Sequence, residues 1–225
     1  KMTVKELLVT CAVAVAASGT AFASHSEWSG QTGSITIGAG KTWTADDEDI
    51  AYIDANISRI TVKGTLILDN ITKWPKGTGA TTACLFWQST GAVIKHGEST
   101  LVFSDQRDNY RTSATLVVEE GELDQENRYI WGDNNDGTIW VKDRATFRQN
   151  YSCTHGSARF VIEGTGKNDQ GAVIMDKASA GALAYVVLSN DATIVVNSTT
   201  DNLFGSHASN GSYAARDPAI LEMNG

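Results

Sequence analysis

Proline is nearly missing from this chain, with two in 225 residues, which excludes a proline-rich linker or stalk. Cysteine is scarce too: Cys11, Cys84 and Cys153 form no Cys-x-x-Cys pair, so a zinc ribbon is excluded. Clustered positive charge is absent. Eighteen Lys and Arg stand singly against 26 Asp and Glu, a net charge of −8, which argues against a nucleic-acid partner. Asn-Gly or Asp-Gly pairs, which mark two-residue hairpins, occur only at Asp136-Gly137, Asn210-Gly211 and the last two residues Asn224-Gly225, none between matched alternating runs. A hairpin sandwich or closed barrel is therefore disfavoured. Helical periodicity fades after residue 24, and no Gly-x-Ser-x-Gly elbow, phosphate-binding loop or His-Glu-x-x-His motif is present.

The first residues carry the pattern of a secretion signal. Lys1 and Lys5 are basic, Leu7 to Ala17 is apolar, and Ala21-Phe22-Ala23 places a small-x-small cleavage pattern before Ser24. The run is short for a membrane-spanning helix of ~20 residues. Residues 1–23 are thus expected to form a signal-peptide helix and residues 24–225 one repeat domain. The last residues stop where a strand is reaching a turn, so the polypeptide is expected to continue beyond Gly225, and its last coil to associate through a bare edge. In an exported chain Cys84 and Cys153 are either a disulfide or two small buried residues.

What the chain does have is one recurring phrase: a small residue, a threonine and an apolar residue. It reads Gly64-Thr65-Leu66, Ser99-Thr100-Leu101, Ala114-Thr115-Leu116, Gly137-Thr138-Ile139, Ala145-Thr146-Phe147 and Ala192-Thr193-Ile194. Each copy opens or sits within a short run of strand-forming residues, and repetition of one strand–turn unit is the mark of a solenoid. Strands are expected at 34–37, 57–62, 65–68, 85–87, 92–95, 100–103, 115–118, 129–131, 138–141, 146–148, 159–163, 173–175, 185–188, 193–196 and 220–223. Asp46 to Ala51 opens one helical turn, with acids at its amino end, and another short turn lies near Asp176 to Leu183. The paired strands fit a parallel β-helix with coils of about 20 to 25 residues. Eight or nine rungs at ~4.8 Å each make a rod roughly 40 Å long.

Gly91-Ala92-Val93-Ile94-Lys95-His96-Gly97-Glu98-Ser99-Thr100-Leu101-Val102-Phe103, then Asn109-Tyr110, then the strand from Thr115 ending Gly121-Glu122-Leu123, resembles the autotransporter-associated β-strand repeat. The stretch departs from that pattern at Ser99, where the family has glycine, and lacks the glycine after Asn109-Tyr110. The resemblance implies an all-β fold: a right-handed, single-stranded parallel β-helix of the pectin-lyase-like kind. It further implies a secreted or surface-exposed passenger or stalk, structural or adhesive, on a bacterial outer surface. An extracellular glycan or a host or cell-surface protein is the expected partner, and no catalytic residue is assigned.

That fold also hosts polysaccharide lyases and hydrolases, which need converging carboxylates, or calcium to acidify a substrate C–H. Asp133-Asn134-Asn135-Asp136-Gly137 has an oxygen-rich, glycine-ended composition. Asp133, Asn135 and Asp136 are therefore candidate calcium ligands, against the alternative of an ordinary turn. Asp46, Asp47 and Asp49 read as a helix cap or solvated face. His96-Gly97 and His155-Gly156 faintly match a polygalacturonase dipeptide without its companion motifs, and Arg107, Arg111, Arg144 and Arg148 are candidate lyase bases without a carboxylate trio. Six tryptophans are many for a narrow core. Trp74, Trp87 and Trp131 are candidate sugar-stacking platforms, against corner filling or covering of the amino-terminal end.

Overall fold

A computed structural model describes residues 25–73, 85–87, 91–103, 115–126, 137–150, 159–164, 171–176, 185–197 and 220–224. In chain order the elements are α1 (His25–Trp28), β1 (Gly33–Ile37), β2 (Thr42–Ala45), α2 (Asp47–Asn56), β3 (Ile57–Val62), β4 (Thr65–Asp69), β5 (Leu85–Trp87), β6 (Ala92–His96), β7 (Thr100–Phe103) and β8 (Thr115–Val118). They continue with β9 (Gly121–Gln125), β10 (Thr138–Val141), β11 (Ala145–Gln149), β12 (Arg159–Ile162), β13 (Ala172–Met175), β14 (Tyr185–Ser189), β15 (Thr193–Val196) and β16 (Ile220–Asn224). The signal-like segment, both cysteines after it, the 129–131 strand and the helical turn after Asp176 lie outside the described residues.

Every strand pairing is parallel, and each strand pairs two places along the chain, never with its immediate neighbour. The even-numbered strands make one eight-stranded sheet. β1, β3 and β5 make a three-stranded sheet, and β7, β9, β11, β13 and β15 a five-stranded one. The chain is a parallel β-helix. Its antiparallel competitor is absent from the described pairings.

The recurring phrase has a physical explanation in this geometry. At Gly64, Ser99 and Gly137 the small residue sits at the corner just before a strand, and the threonine after it faces out. The following apolar residue points into the core: Leu66, Leu101, Leu116, Ile139 and Phe147 are all at most 1% exposed. At the corner itself the amide of the next rung bonds back to a carbonyl below. Thr65 N–H donates to Lys41 O at 2.8 Å, Ala92 to Gly64 O at 2.9 Å, Thr115 to Gly91 O at 3.1 Å and Arg159 to Gly137 O at 2.8 Å. A side chain would block that approach. A Cβ on Gly64 would lie 2.2 Å from Lys41 O and 2.3 Å from Gly38 O.

Registration then stacks like on like. Leu66, Val93, Leu116, Ile139, Phe160 and Val186 form one inward column of the eight-stranded sheet, each 0–1% exposed. Full burial of such side chains is worth ~1.5–3 kcal/mol each. Leu123, Phe147 and Val173 form the facing column, with Phe147 and Phe160 meeting edge to face at 5.9 Å across the interior. Two inward columns carry polar residues. Lys95 sits between Leu68 and Val118, and Gln125 lies beside Gln149, all fully buried.

The amino end is sealed. Trp28 is buried, meets Trp43 edge to face at 4.9 Å, and donates from Nε1 to Thr44 O at 2.7 Å. Glu27 accepts from Thr44 N–H, so α1 occupies both free backbone groups of Thr44 on the first strand of the long sheet. For Trp28 and Trp43, end-covering is the role observed. The acidic run Asp46, Asp47 and Asp49 is helix chemistry: Asp46 caps α2, accepting from Glu48 and Asp49 amides, while Asp49 returns the bond. The helix runs ten residues rather than one turn because Ile50 and Ile53 bury against the core.

The sheet accompanying the long one changes sides along the rod. From β1 to β5 the companion strand precedes its long-sheet partner; from β7 onward it follows. β6 is flanked by both kinds. At the other end, large exposed apolar side chains among the described residues are confined to β15 and β16: Val195, Val196, Leu221 and Met223.

Candidate functional site

Outward-facing residues fall into rows along the rod, because registration that stacks the core also stacks the surface. On the long sheet one row is rich in threonine, with Thr42, Thr65, Thr115 and Thr138 in register around Ala92. Beside it runs an apolar row, Ile67, Ile94, Val117, Trp140, Val161 and Val187. The third row is charged and paired between rungs. Asp69 and His96 Nδ1 approach to 3.0 Å, and Lys142 and Glu163 to 3.9 Å.

Trp140 is where these rows converge. Its Nε1 donates to Glu163 Oε1 at 2.8 Å, and Lys142 Nζ lies 3.5 Å from the ring centroid. One aromatic face is therefore covered by a cation, a favourable contact of ~0.5–1 kcal/mol at a partly exposed site. A rung or two on, Arg159 stacks on the Tyr185 ring at 4.9 Å, and the phenol donates to Glu222, which also lies 4.0 Å from Arg159 Nη2. The Glu222 carboxylate, as acceptor, holds the phenol proton on and raises the Tyr185 pKa, with burial adding to the effect.

The five-stranded sheet carries a second network. Arg148 spans three rungs, donating from Nε to Glu122 at 2.9 Å and from Nη1 to Asp176 at 2.8 Å. Asn197 donates to the other Asp176 oxygen at 2.6 Å, and Asn150 to Asp124 at 2.7 Å. The Asn197 bond and then Arg148 lower the Asp176 pKa. Burial raises that of Asp124, against the Asn150 bond and helped by Glu122 and Glu126. The two carboxylates hold the Arg148 guanidinium above even its ordinary range. Two of its guanidinium nitrogens are thus committed to carboxylates on neighbouring rungs.

Of the other sequence candidates, Arg144 is an exposed turn residue with φ 71°, and His96 is engaged by Asp69. Trp87 lies on β5, its backbone paired opposite Val62. Its side chain is not among those described. Trp74, Trp131, Asp133, Asn135, Asp136, Arg107, Arg111 and His155 fall outside the described residues. Among the described residues no group of three or more His, Cys, Asp or Glu is arranged to hold a metal ion, and no helix is long and apolar enough to cross a membrane. Sequence reasoning passed over Trp140 as a site residue. Its signal was parity: Thr138 and Trp140 share the outward phase of a strand whose Ile139 and Val141 are buried.

Comparison of the chain with protein-family models, curated proteins and solved structures returns no match.

Proposed function

We propose that this chain is an exported β-helix, secreted or displayed at a cell surface, that serves as a stalk or adhesive passenger without catalytic chemistry of its own. One observation carries the reading. The ion pairs seen on the long and five-stranded sheets run along the rod, rung to rung, as in Glu122–Arg148–Asp176 and Lys142–Glu163. Such pairing consolidates a rod and leaves little for acid–base work. The signal-like leader and the likeness of residues 91–123 to autotransporter-associated repeats support export. The test is twofold. Expression of the full chain with its leader should yield protein cleaved after Ala23 and exported. Incubation with a pectin and glycan panel, with and without calcium, should release no product. Released oligosaccharide would overturn the reading in favour of a lyase or hydrolase.

A second reading is favoured by Trp140 in particular. An aromatic ring at the surface beside Glu163 and Lys142 combines a stacking plane with hydrogen-bonding groups, the composition of a sugar subsite. On this reading the rod binds an extracellular glycan. Trp140→Ala should abolish retention on the same panel while leaving thermal unfolding within a few degrees. Equal retention by the variant would remove Trp140 from any such site.

A further inference from the structure

Among the described residues, Lys95 is the one lysine whose side chain is fully buried. It occupies an inward position of β6, in the column where its neighbours above and below are Leu68 and Val118. Its ammonium does not reach solvent. It turns into the corner after β6 and donates to Gly97 O, in its own rung, and to Glu120 O of the next rung at 2.7 Å. The corner is built around it. Gly121 has φ +64°, and a Cβ there would stand 2.6 Å from Nζ and 2.7 Å from Glu98 O; Gly97, φ +81°, would put one 2.1 Å from Asn70 Oδ1. One buried cation thus ties two successive corners through backbone carbonyls.

The same rung is where the companion sheet changes sides. The three-stranded sheet ends with β5, and the five-stranded sheet begins beside β6 with β7, reached by a bridge from Lys73 to Val102. Among the described residues the three-stranded sheet does not continue past β5, and the five-stranded wall reaches back only as far as the Ile71–Lys73 segment under β7, so the long sheet is the one with strands in both halves. A stack of this kind opens in contiguous cooperative pieces, and a piece ends where the lateral contacts change.

We infer that the rod comprises two cooperative segments meeting at β6, and that the Lys95 corner is the lock between them, its opening coupled to uptake of a proton by the released amine. The ionisable groups around the lysine are Asp69 on β4, His96 on its own strand, Glu98 in its corner, Glu119 and Glu120 in the corner after β8, and Glu122 on β9. Burial lowers the lysine pKa from 10.5 to about 8; Glu120 and Asp69 oppose that shift without cancelling it. When the corner opens the lysine regains its ordinary affinity for protons. Between about pH 8 and 10.5 the open form therefore binds a proton that the closed form lacks, so the corner closes more firmly as pH rises through that window. Below it the lysine is charged in both forms and adds no pH dependence to opening.

Amide hydrogen exchange on the whole chain tests this, with each rate corrected for the intrinsic pH dependence. The reporters are the corner amides of Val102, Glu119 and Glu122, bonded to Thr72 O, Lys95 O and Ser99 O; the reference is Lys63, bonded to Ile37 O in the amino-terminal segment. From pH 7 to 9.5 the opening constant of the reporters should fall by about tenfold or more relative to Lys63. Lys95→Met should flatten that dependence. The wild-type comparison of reporters with Lys63 stands even if the variant does not fold. Reporters that open only with Lys63, a flat wild-type profile, or a fall retained in Lys95→Met would each overturn the inference.

Discussion

Replacing Gly64 by alanine tests the corner geometry more directly than any core truncation. The added carbon would sit 2.2 and 2.3 Å from the carbonyl oxygens of Lys41 and Gly38, both backbone atoms that cannot swing aside. An ordinary carbon–oxygen approach is ~3.3 Å, so the two rungs must part locally by about 1 Å. Three hydrogen bonds hold this corner: Lys63 and Gly64 amides to Ile37 O at 2.8 and 3.1 Å, and Thr65 to Lys41 O at 2.8 Å. Stretching them by that much loses most of their value, ~1 kcal/mol each, and more where a group is left buried without a partner. The expected loss is about 3–5 kcal/mol, against ~0.4–1 kcal/mol returned by a stiffer unfolded chain. For a domain of this size that is a fall of about 6–15 °C in Tm. Gly38→Ala is the matched control, because a Cβ there meets nothing within 4 Å and should be neutral or slightly stabilising. Urea titration and differential scanning calorimetry of the pair read the difference. If Gly64→Ala melts within about 2 °C of Gly38→Ala, the close stacking of corners does not hold the rungs together.

Three further outcomes follow from the packing and surface rows. Phe147→Ala removes a fully buried ring touching Phe160 and should cost ~3–5 kcal/mol in urea unfolding, with Phe147→Leu recovering more than half. Arg148→Ala cuts ties to two neighbouring rungs. With its partners about a quarter exposed, the loss should be ~1–2 kcal/mol and should shrink in 1 M NaCl, where salt screens the pairing. Leu221→Lys with Met223→Lys charges the apolar end at β16, where those residues are 51% and 75% exposed. The expectation is that light scattering shows less concentration-dependent association for this double variant than for the parent chain; equal association would place the contact elsewhere.

Most strand positions were legible because the inward–outward period survives in short windows: Ile57–Val62, Thr115–Val118 and Thr138–Val141 are read directly from their alternation. β9 was legible only as the tail of a motif. Its Glu122 and Asp124 look like an acidic turn until Arg148 and Asn150 of the next rung are set beside them, a partnership that no local window contains. β2 was hidden for a related reason, since Thr42-Trp43-Thr44-Ala45 is short and leans on α1 for its burial. The pair of strands at 57–69 looked equivalent to the pair at 92–103, yet the first joins the three-stranded sheet to the long one and the second joins the long sheet to the five-stranded one. Alternation tells which side of a strand is inside, not which wall of the rod the strand belongs to. Lys95 shows both the power and the limit of parity. Its position in Val93-Ile94-Lys95 places it inward, while its charge argues outward, and only the carbonyls of Gly97 and Glu120 decide the matter.

The ladder of corner carbonyls also constrains how a gene for such a molecule can grow. At the corners of Lys41, Gly64, Gly91 and Gly137 one carbonyl oxygen accepts one amide from the next rung, so rungs bounded by these corners present the same bond at that seam. Duplication or excision in whole units, cut for example before Gly64 and before Gly91, keeps this corner bond in phase. A slip of a single codon within a strand does the opposite. It turns the oily lining outward and the threonines inward at one stroke, so the length of the rod can drift by rungs but not by residues.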